Sequence, residues 1–266
     1  MIKRRVAENR DAGVSESIGF MLIFTIIIAG IGLVTLYGYP MLLQQQTNAD
    51  EQIMEKNMIV LQNDLKSLAY KMVPYKETSL KVGGGSLTVY NMSDTTNSAQ
   101  FQIYDDSGII GTAGSQIQFS PGDLRYDSTS SQSGISLENG AVVKRMLAQE
   151  GSTMLAEPRW FYDSETNTAV IYLIGFNSTD IISRTGIGTV KMNLDQTKTN
   201  STSYDIPSGD VIHIKYIPNT NADYSTAWDN YFVTLGMSEG SGNYYFPANT
   251  VKKLVINRYE IIIKSL

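Results

Sequence analysis

The sequence predicts an α+β protein: a long N-terminal helix, apolar in its first half and amphipathic in its second, followed by an antiparallel all-β sandwich or barrel head. Three observations carry this. No charged residue occurs from Ser17 to Ala49. From Leu42 to Met72, apolar residues recur at spacings of three and four, the period of a half-covered helix. From Ser79 onward the period falls to two, as successive side chains of a strand point to opposite faces.

Composition removes many chemistries. The 266 residues include no Cys and one His, so disulfides, thiolate zinc sites and cysteine nucleophiles are excluded, and a multi-histidine metal site cannot be built. Against 26 Asp and Glu stand 21 Lys and Arg, a formal net charge of −5. That balance argues against a nucleic-acid partner, which needs a dense basic surface for counterion release.

The first element is the apolar one. Ile18 to Tyr39 would form a helix of roughly 33 Å, enough to cross a hydrocarbon core of about 30 Å. The leader before it carries Lys3, Arg4, Arg5 and Arg10 against Glu8 and Asp11. By the positive-inside rule the leader is expected to stay on the cytoplasmic side of the cytoplasmic membrane, with everything after Pro40 outside. The apolar run exceeds the 7–15 residues of an ordinary secretory signal, and a small residue, Gly13, precedes it rather than follows.

At this junction the residues Asp11-Ala12-Gly13-Val14-Ser15-Glu16-Ser17-Ile18-Gly19-Phe20 resemble the class III signal of the type IV pilin and archaellin superfamily, in its archaeal wording. The resemblance implies a prepilin peptidase that cuts between Gly13 and Val14 and leaves the apolar helix on the mature protein. It also implies other pilin subunits as helix partners, and an assembly ATPase with a membrane platform. Bacterial pilins typically place Phe first and Glu fifth in the mature chain. Those positions here are Val14 and Ile18, and Glu16 is third. The motifs cover only about the first forty residues.

A helix that is apolar all round leaves lipid only if other helices replace the lipid around it. In the family an acidic residue near the helix start engages a neighbouring subunit's N-terminal amine, so Glu16 is a candidate for setting assembly register. The alternative is that Glu16 only favours the helix N-terminus through the macrodipole. Pro40 lacks an N–H and clashes with the preceding turn, so the helix should kink or open locally at Gly38-Tyr39-Pro40. Beyond it, Ile53, Asn57, Val60, Leu61, Asp64, Leu65, Leu68 and Met72 form the expected core-facing stripe, with Glu51, Glu55, Lys56, Gln62, Asn63 and Lys66 as the polar remainder. Val73-Pro74 ends the helix.

Strand signals follow at Gln100 to Tyr104, Val190 to Leu194, Val211 to Ile217 and Val251 to Leu266, and the uniformly apolar Ala169 to Ile174 suits a strand covered on both faces. Asn139-Gly140 between two strand-like runs is a hairpin signal. Segments such as Tyr126 to Gly134 and Asn219 to Thr226 read as loops, and no long helix is expected in the head. A joint between two β lobes near Leu147 to Ser152 stays open.

Chemical motifs are weak. Gly236-Met237-Ser238-Glu239-Gly240 matches the nucleophile-elbow pattern, but no helix is expected after Ser238 and His213 precedes the serine, the wrong order. His213 reads as part of the less apolar face of a strand, Gly83-Gly84-Gly85 as a turn, and Asp94, Asp105 and Asp106 as solvated turn acids without EF-hand spacing. No catalytic residue, cofactor or metal ligand is assigned, and no enzymatic activity is expected. Asn91, Asn177 and Asn200 head intact N-glycosylation sequons.

The expected organisation is a cleavable leader over 1–13, an apolar helix over 14–40, its amphipathic continuation over 41–74 and an extracellular β head over 75–266. The function expected from the resemblance is a pilin-like surface-filament subunit or minor pilin, with an adhesive role as a refinement. A non-polymerising, single-pass anchored β-domain with a binding or envelope-scaffold role is the alternative.

Overall fold

The computed structural model describes residues 10–94, 96–111, 116–146, 151–179 and 182–266, with backbone alone for 10–15. The expected leader lies mostly outside the described residues, as does most of the proposed joint near Leu147. The chain falls into two units divided between Ala49 and Asp50.

One helical rod opens the chain: α1 (Arg10–Leu33), a π-helical turn (Val34–Gly38) and α2 (Tyr39–Lys71). The π turn sits directly before Pro40, and the Tyr39 N–H reaches the Val34 carbonyl. Pro40 has no N–H for an α bond and its ring crowds the carbonyl four residues back, so a widened turn is the local solution. The helix ends at Met72, which takes a left-handed φ of 53°.

The head holds fifteen strands among the described residues. They are β1 (Tyr75–Tyr90), β2 (Gln100–Asp105), β3 (Ile117–Phe119), β4 (Asp123–Ser128), β5 (Ser133–Glu138), β6 (Ala141–Met146), β7 (Ser152–Ala156) and β8 (Phe161–Asp163), then β9 (Thr168–Ser178), β10 (Ser183–Leu194), β11 (Asn200–Asp205), β12 (Ile212–Ile217), β13 (Ser238–Gly240), β14 (Asn243–Phe246) and β15 (Lys253–Ser265). A larger sheet runs β7-β6-β5-β4-β1-β10-β15-β9-β8, with β11 also on β15; a smaller one runs β13-β14-β12-β2-β3.

The larger sheet must curl. Eight inter-strand steps of about 4.8 Å would put β7 and β8 about 38 Å apart in a flat sheet, yet the connection from Ala156 to Phe161 spans about 18 Å at most. The sheet therefore wraps around the second half of the helical rod. Met54, Met58, Leu61, Leu65 and Leu68 of α2 are fully buried in a core with Leu87, Leu124, Leu137, Val142, Phe176, Val190 and Ile263 from seven strands. The opposite face packs on the smaller sheet through Phe101, Ile214, Val143, Ile171, Leu173 and Ile256. β9 and β15 show the period of two directly: Ala169, Ile171 and Leu173 face one core, Ile174 and Phe176 the other. The apolar run Ala169 to Ile174 is covered on both faces.

Four details differ from the sequence reading. The buried stripe of α2 is rotated: Met54 and Met58 lie inside, whereas Ile53, Val60 and Met72 are exposed, and Glu51 and Gln62, read as polar remainder, are buried. Unbranched methionine fills irregular gaps under a curled sheet better than a β-branched residue does. The ladder between β9 and β15 is parallel, from Lys253 opposite Thr168 to Ile263 opposite Ser178, within an otherwise antiparallel head. A ten-residue helix, α3 (Ser225–Thr234), follows the Asn219 loop and buries Ala227, Trp228, Tyr231 and Phe232. Gly83-Gly84-Gly85 is no turn; it is an irregularity inside β1, where the ladder to β10 shifts register between Val82 and Leu87 and the ladder to β4 begins at Gly85. A Cβ on Gly85 would lie 2.3 Å from the Asp127 carbonyl oxygen, so the crossing of the two ladders admits no side chain there.

The Asn139-Gly140 hairpin is as expected. Both residues have positive φ, 46° and 78°, the pair of values a two-residue type I′ turn requires. Asn139 Oδ1 then accepts from the Ile174 N–H at 2.8 Å, tying the turn to β9.

Candidate functional site

Among the described residues, the feature without a partner inside the chain is the apolar half of the helix. Every large apolar side chain from Ile18 to Leu43 is between 45% and 72% exposed. Thr25 and Thr35 satisfy their hydroxyls on carbonyls four residues back, at 2.7 and 2.8 Å, so they add no polar demand to that surface. Among the described residues one helix, Glu16–Lys71, is long and apolar enough to cross a membrane. Its composition is compatible with membrane anchoring.

The candidate processing bond Gly13–Val14 lies inside the backbone of α1, which starts at Arg10. Cleavage there would make Val14 the first residue of the helix and leave Glu16 in its first turn. Glu16 is exposed. The helix end is where backbone bonds open most readily, and about one turn of unwinding would expose the bond.

The three sequons differ sharply. Asn91 is held on β9: its Oδ1 accepts from the Ser178 N–H at 2.7 Å and from its Oγ at 2.8 Å, and its Nδ2 donates to the Ser178 carbonyl at 3.2 Å. Asn177 donates to Glu260 at 3.1 Å. Asn200 begins β11, is exposed, and its side chain makes no hydrogen bond among the described residues.

The remaining motif residues are placed in the head. His213 pairs across the ladder with Tyr104, stacks on it at 4.8 Å, and meets Asp106 Oδ1 through Nε2 at 2.9 Å. Among the described residues no group of three His, Asp or Glu could hold a metal ion. Ser238 lies in β13, followed by a turn and β14 rather than a helix. Asp105 is not a solvated acid: it is buried and accepts from the backbone N–H groups of Ile109, Ile110 and Gly111 and from the Ser107 hydroxyl, at 2.8 to 3.2 Å. Asp94 caps its own turn through Asn97.

A buried polar group was not legible beforehand. Arg125 meets Asp123 at 2.8 Å, and Ser136 donates to the same carboxylate at 2.7 Å. Glu138, one residue before the hairpin turn, accepts from the Tyr216 hydroxyl at 3.0 Å and from the Trp228 indole N–H. It therefore joins the larger sheet to β12 and α3. Burial, and then the charge of Asp123, push its carboxyl up to about 7 against the pull of these donors and Arg125. Burial raises the Asp123 carboxyl as well, against the opposing pull of Arg125 and Ser136.

An apolar N-terminal helix of spanning length, continuous with a helix wrapped by a β-rich head, defines the class to which the molecule belongs. Within it, the chain belongs to a family of unknown function, DUF7289, whose pattern matches residues 12–258 and so takes in both rod and head. No curated protein and no solved structure matches it.

Proposed function

We propose that the chain is a pilin-like surface subunit, processed between Gly13 and Val14, held in the cytoplasmic membrane by its apolar helix, and assembled through that helix into an extracellular filament or a related complex with the head outward. The observation that carries this reading is the unbroken exposed apolar surface from Ile18 to Leu43. Such a surface needs either lipid or other helices around it, and a helix with a removable basic leader is suited to exchange one for the other. Glu16, placed at the new N-terminus, would be stabilised in an apolar bundle by a neighbour's amine. The prepilin peptidase, the assembly ATPase and its platform are the partners this reading requires. In the exposed β11, Asn200 is the sequon we assign to a surface glycan.

N-terminal sequencing and intact-mass measurement of the protein from native membranes test the proposal. It expects a chain beginning at Val14 and recovery of that chain in sheared surface filaments. An intact leader on molecules that never sediment with a fibre would support the non-polymerising anchored β-domain instead.

A further inference from the structure

The larger sheet ends at β7, whose ladder runs to β6 alone. Among the described residues no backbone group of Ser152 to Ala156 bonds to anything beyond that ladder. The strand is at least partly exposed along its length, although its flanks are covered. On the α2 side two cavities of about 460 and 670 Å³ follow it, bounded by Glu55 at one end and by Lys66 and Tyr70 at the other. On the other side Ser152 Oγ accepts from the Ala227 N–H of α3 at 3.0 Å. The result is a trough with an open sheet edge in its wall.

Cations line both ends. In the first cavity Lys144 is neutralised by Glu51 and Glu55, each at 2.7 Å, and Arg145 donates to the Asn221 carbonyl and lies over the Tyr224 ring. In the second, Lys66 and Arg159 have no carboxylate within ion-pair distance among the described residues. Lys66 reaches only Gln62 Oε1, at 3.1 Å. Arg159 lies against the rings of Tyr70 and Tyr172, at 4.8 and 5.7 Å, with no hydrogen bond to its guanidinium. The one acid beside them, Glu157, is exposed and pairs with neither. Burial, followed by the charge of Arg159, holds the Lys66 amine below its ordinary range against the weaker opposing charge of Glu157.

We propose that this trough docks an extended peptide segment of a partner, added as a further strand on β7, with a carboxylate at one end taken by Lys66 and Arg159. A strand is the occupant that matches an unpaired row of backbone donors and acceptors, whereas a small anion or a sugar would leave that row unused. The register of β6 and β7 shifts between Val142 and Val143, which leaves Leu155 as an extra residue, so regular pairing is offered over Ser152 to Met154 and stops beside the two cations. That is where a chain end or an acidic last residue would lie. From Glu55 to Tyr70 the trough is about 22 Å long, room for about six or seven extended residues, of which those beside Ser152 to Met154 would pair. All of its lining residues belong to the unit from Asp50 to Leu266.

The test is selection from a random heptapeptide display library on the full-length chain in detergent, followed by fluorescence anisotropy with a synthetic copy of the enriched peptide. The expected result is enrichment of alternating β-branched residues with Asp or Glu at one end. The enriched peptide should bind at least tenfold more weakly to the Lys66→Gln, Arg159→Gln double variant, and also when its alternate backbone nitrogens are methylated. The second change leaves the protein untouched, so a folding defect cannot mimic it. The proposal is overturned by no enrichment over an unrelated detergent-solubilised protein, or by a peptide indifferent to both changes. Displacement by tetragalacturonate as efficient as by the unlabelled peptide would also overturn it, since charge alone would then be recognised.

Discussion

The two halves of the helical rod are similar in length and opposite in circumstance. In α2 the apolar residues Met54, Met58, Leu61, Leu65 and Leu68 are fully buried under a curled sheet, whereas in α1 Ile23, Ile27 and Ile31 are all more than half exposed. Burial of α2 is a statement about folding, since its stripe completes a core. Exposure of α1 is a statement about surroundings, because nothing in the described chain accounts for so much apolar surface. One rod therefore carries two different kinds of information, and substitutions should separate them.

The largest expected effect is in the buried half. Leu65→Ala should lower head stability by about 2–5 kcal/mol, read by chemical denaturation in detergent, because deletion leaves a cavity among residues from several strands. Membrane association should be unchanged. Ile27→Lys should do the reverse, adding about 3 kcal/mol to the cost of placing α1 in a bilayer while leaving the head's transition intact, as flotation and thermal melts would show. If both variants shifted both readings, the contrast between the halves would be false.

A second contrast lies inside the head, between polar groups that face water and Glu138, which does not. Its folded pKa of about 7 lies above the ordinary 4.5. Between those values the folded state binds more protons than the unfolded, so stability falls as pH rises through that window and the loss is complete above it. The full difference is about 3 kcal/mol. Glu138→Gln should flatten that portion of the pH profile measured by denaturant titration; an unchanged slope would remove Glu138 as its source. The smallest expected effect is at the sequons. Asn200→Gln should alter melting by no more than about 0.5 kcal/mol, as for an exposed site, and remove any glycan mass. Asn91→Gln should destabilise the contact with Ser178 by about 1–3 kcal/mol and leave the glycan mass unchanged.

Much of the architecture was readable because periodicity reports local geometry. The apolar run, the hairpin at Asn139-Gly140 and the strand at Gln100 were visible in residue spacing alone. α3 was missed because its first residues, Ser225 and Thr226, fall at the end of the polar stretch from Asn219 that reads as a loop. Two quieter signals mark its ends: Asp223, whose Oδ1 accepts from the Ser225 N–H at 2.8 Å, and Gly236, with a φ of 82°. The stripe on α2 was misphased because its two methionines were passed over in favour of Ile53 and Val60. The Glu138 site and the trough beside β7 had no local signature, since their residues come from segments as far apart as Lys66 and Arg159, or Glu138 and Trp228.

What the residues determined unaided was the sort of element each segment forms and which segment must look outside the chain for company, because helix period, strand period and the absence of charge are properties of neighbours in sequence. What only the tertiary structure decided was which face of α2 is covered, which sequon asparagine is held and which is presented, and where the curled sheet stops short of closing. Those outcomes depend on ladders between residues up to 118 positions apart, as Tyr75 and Asn193 are, and the free energy of such contacts is not written in any single stretch.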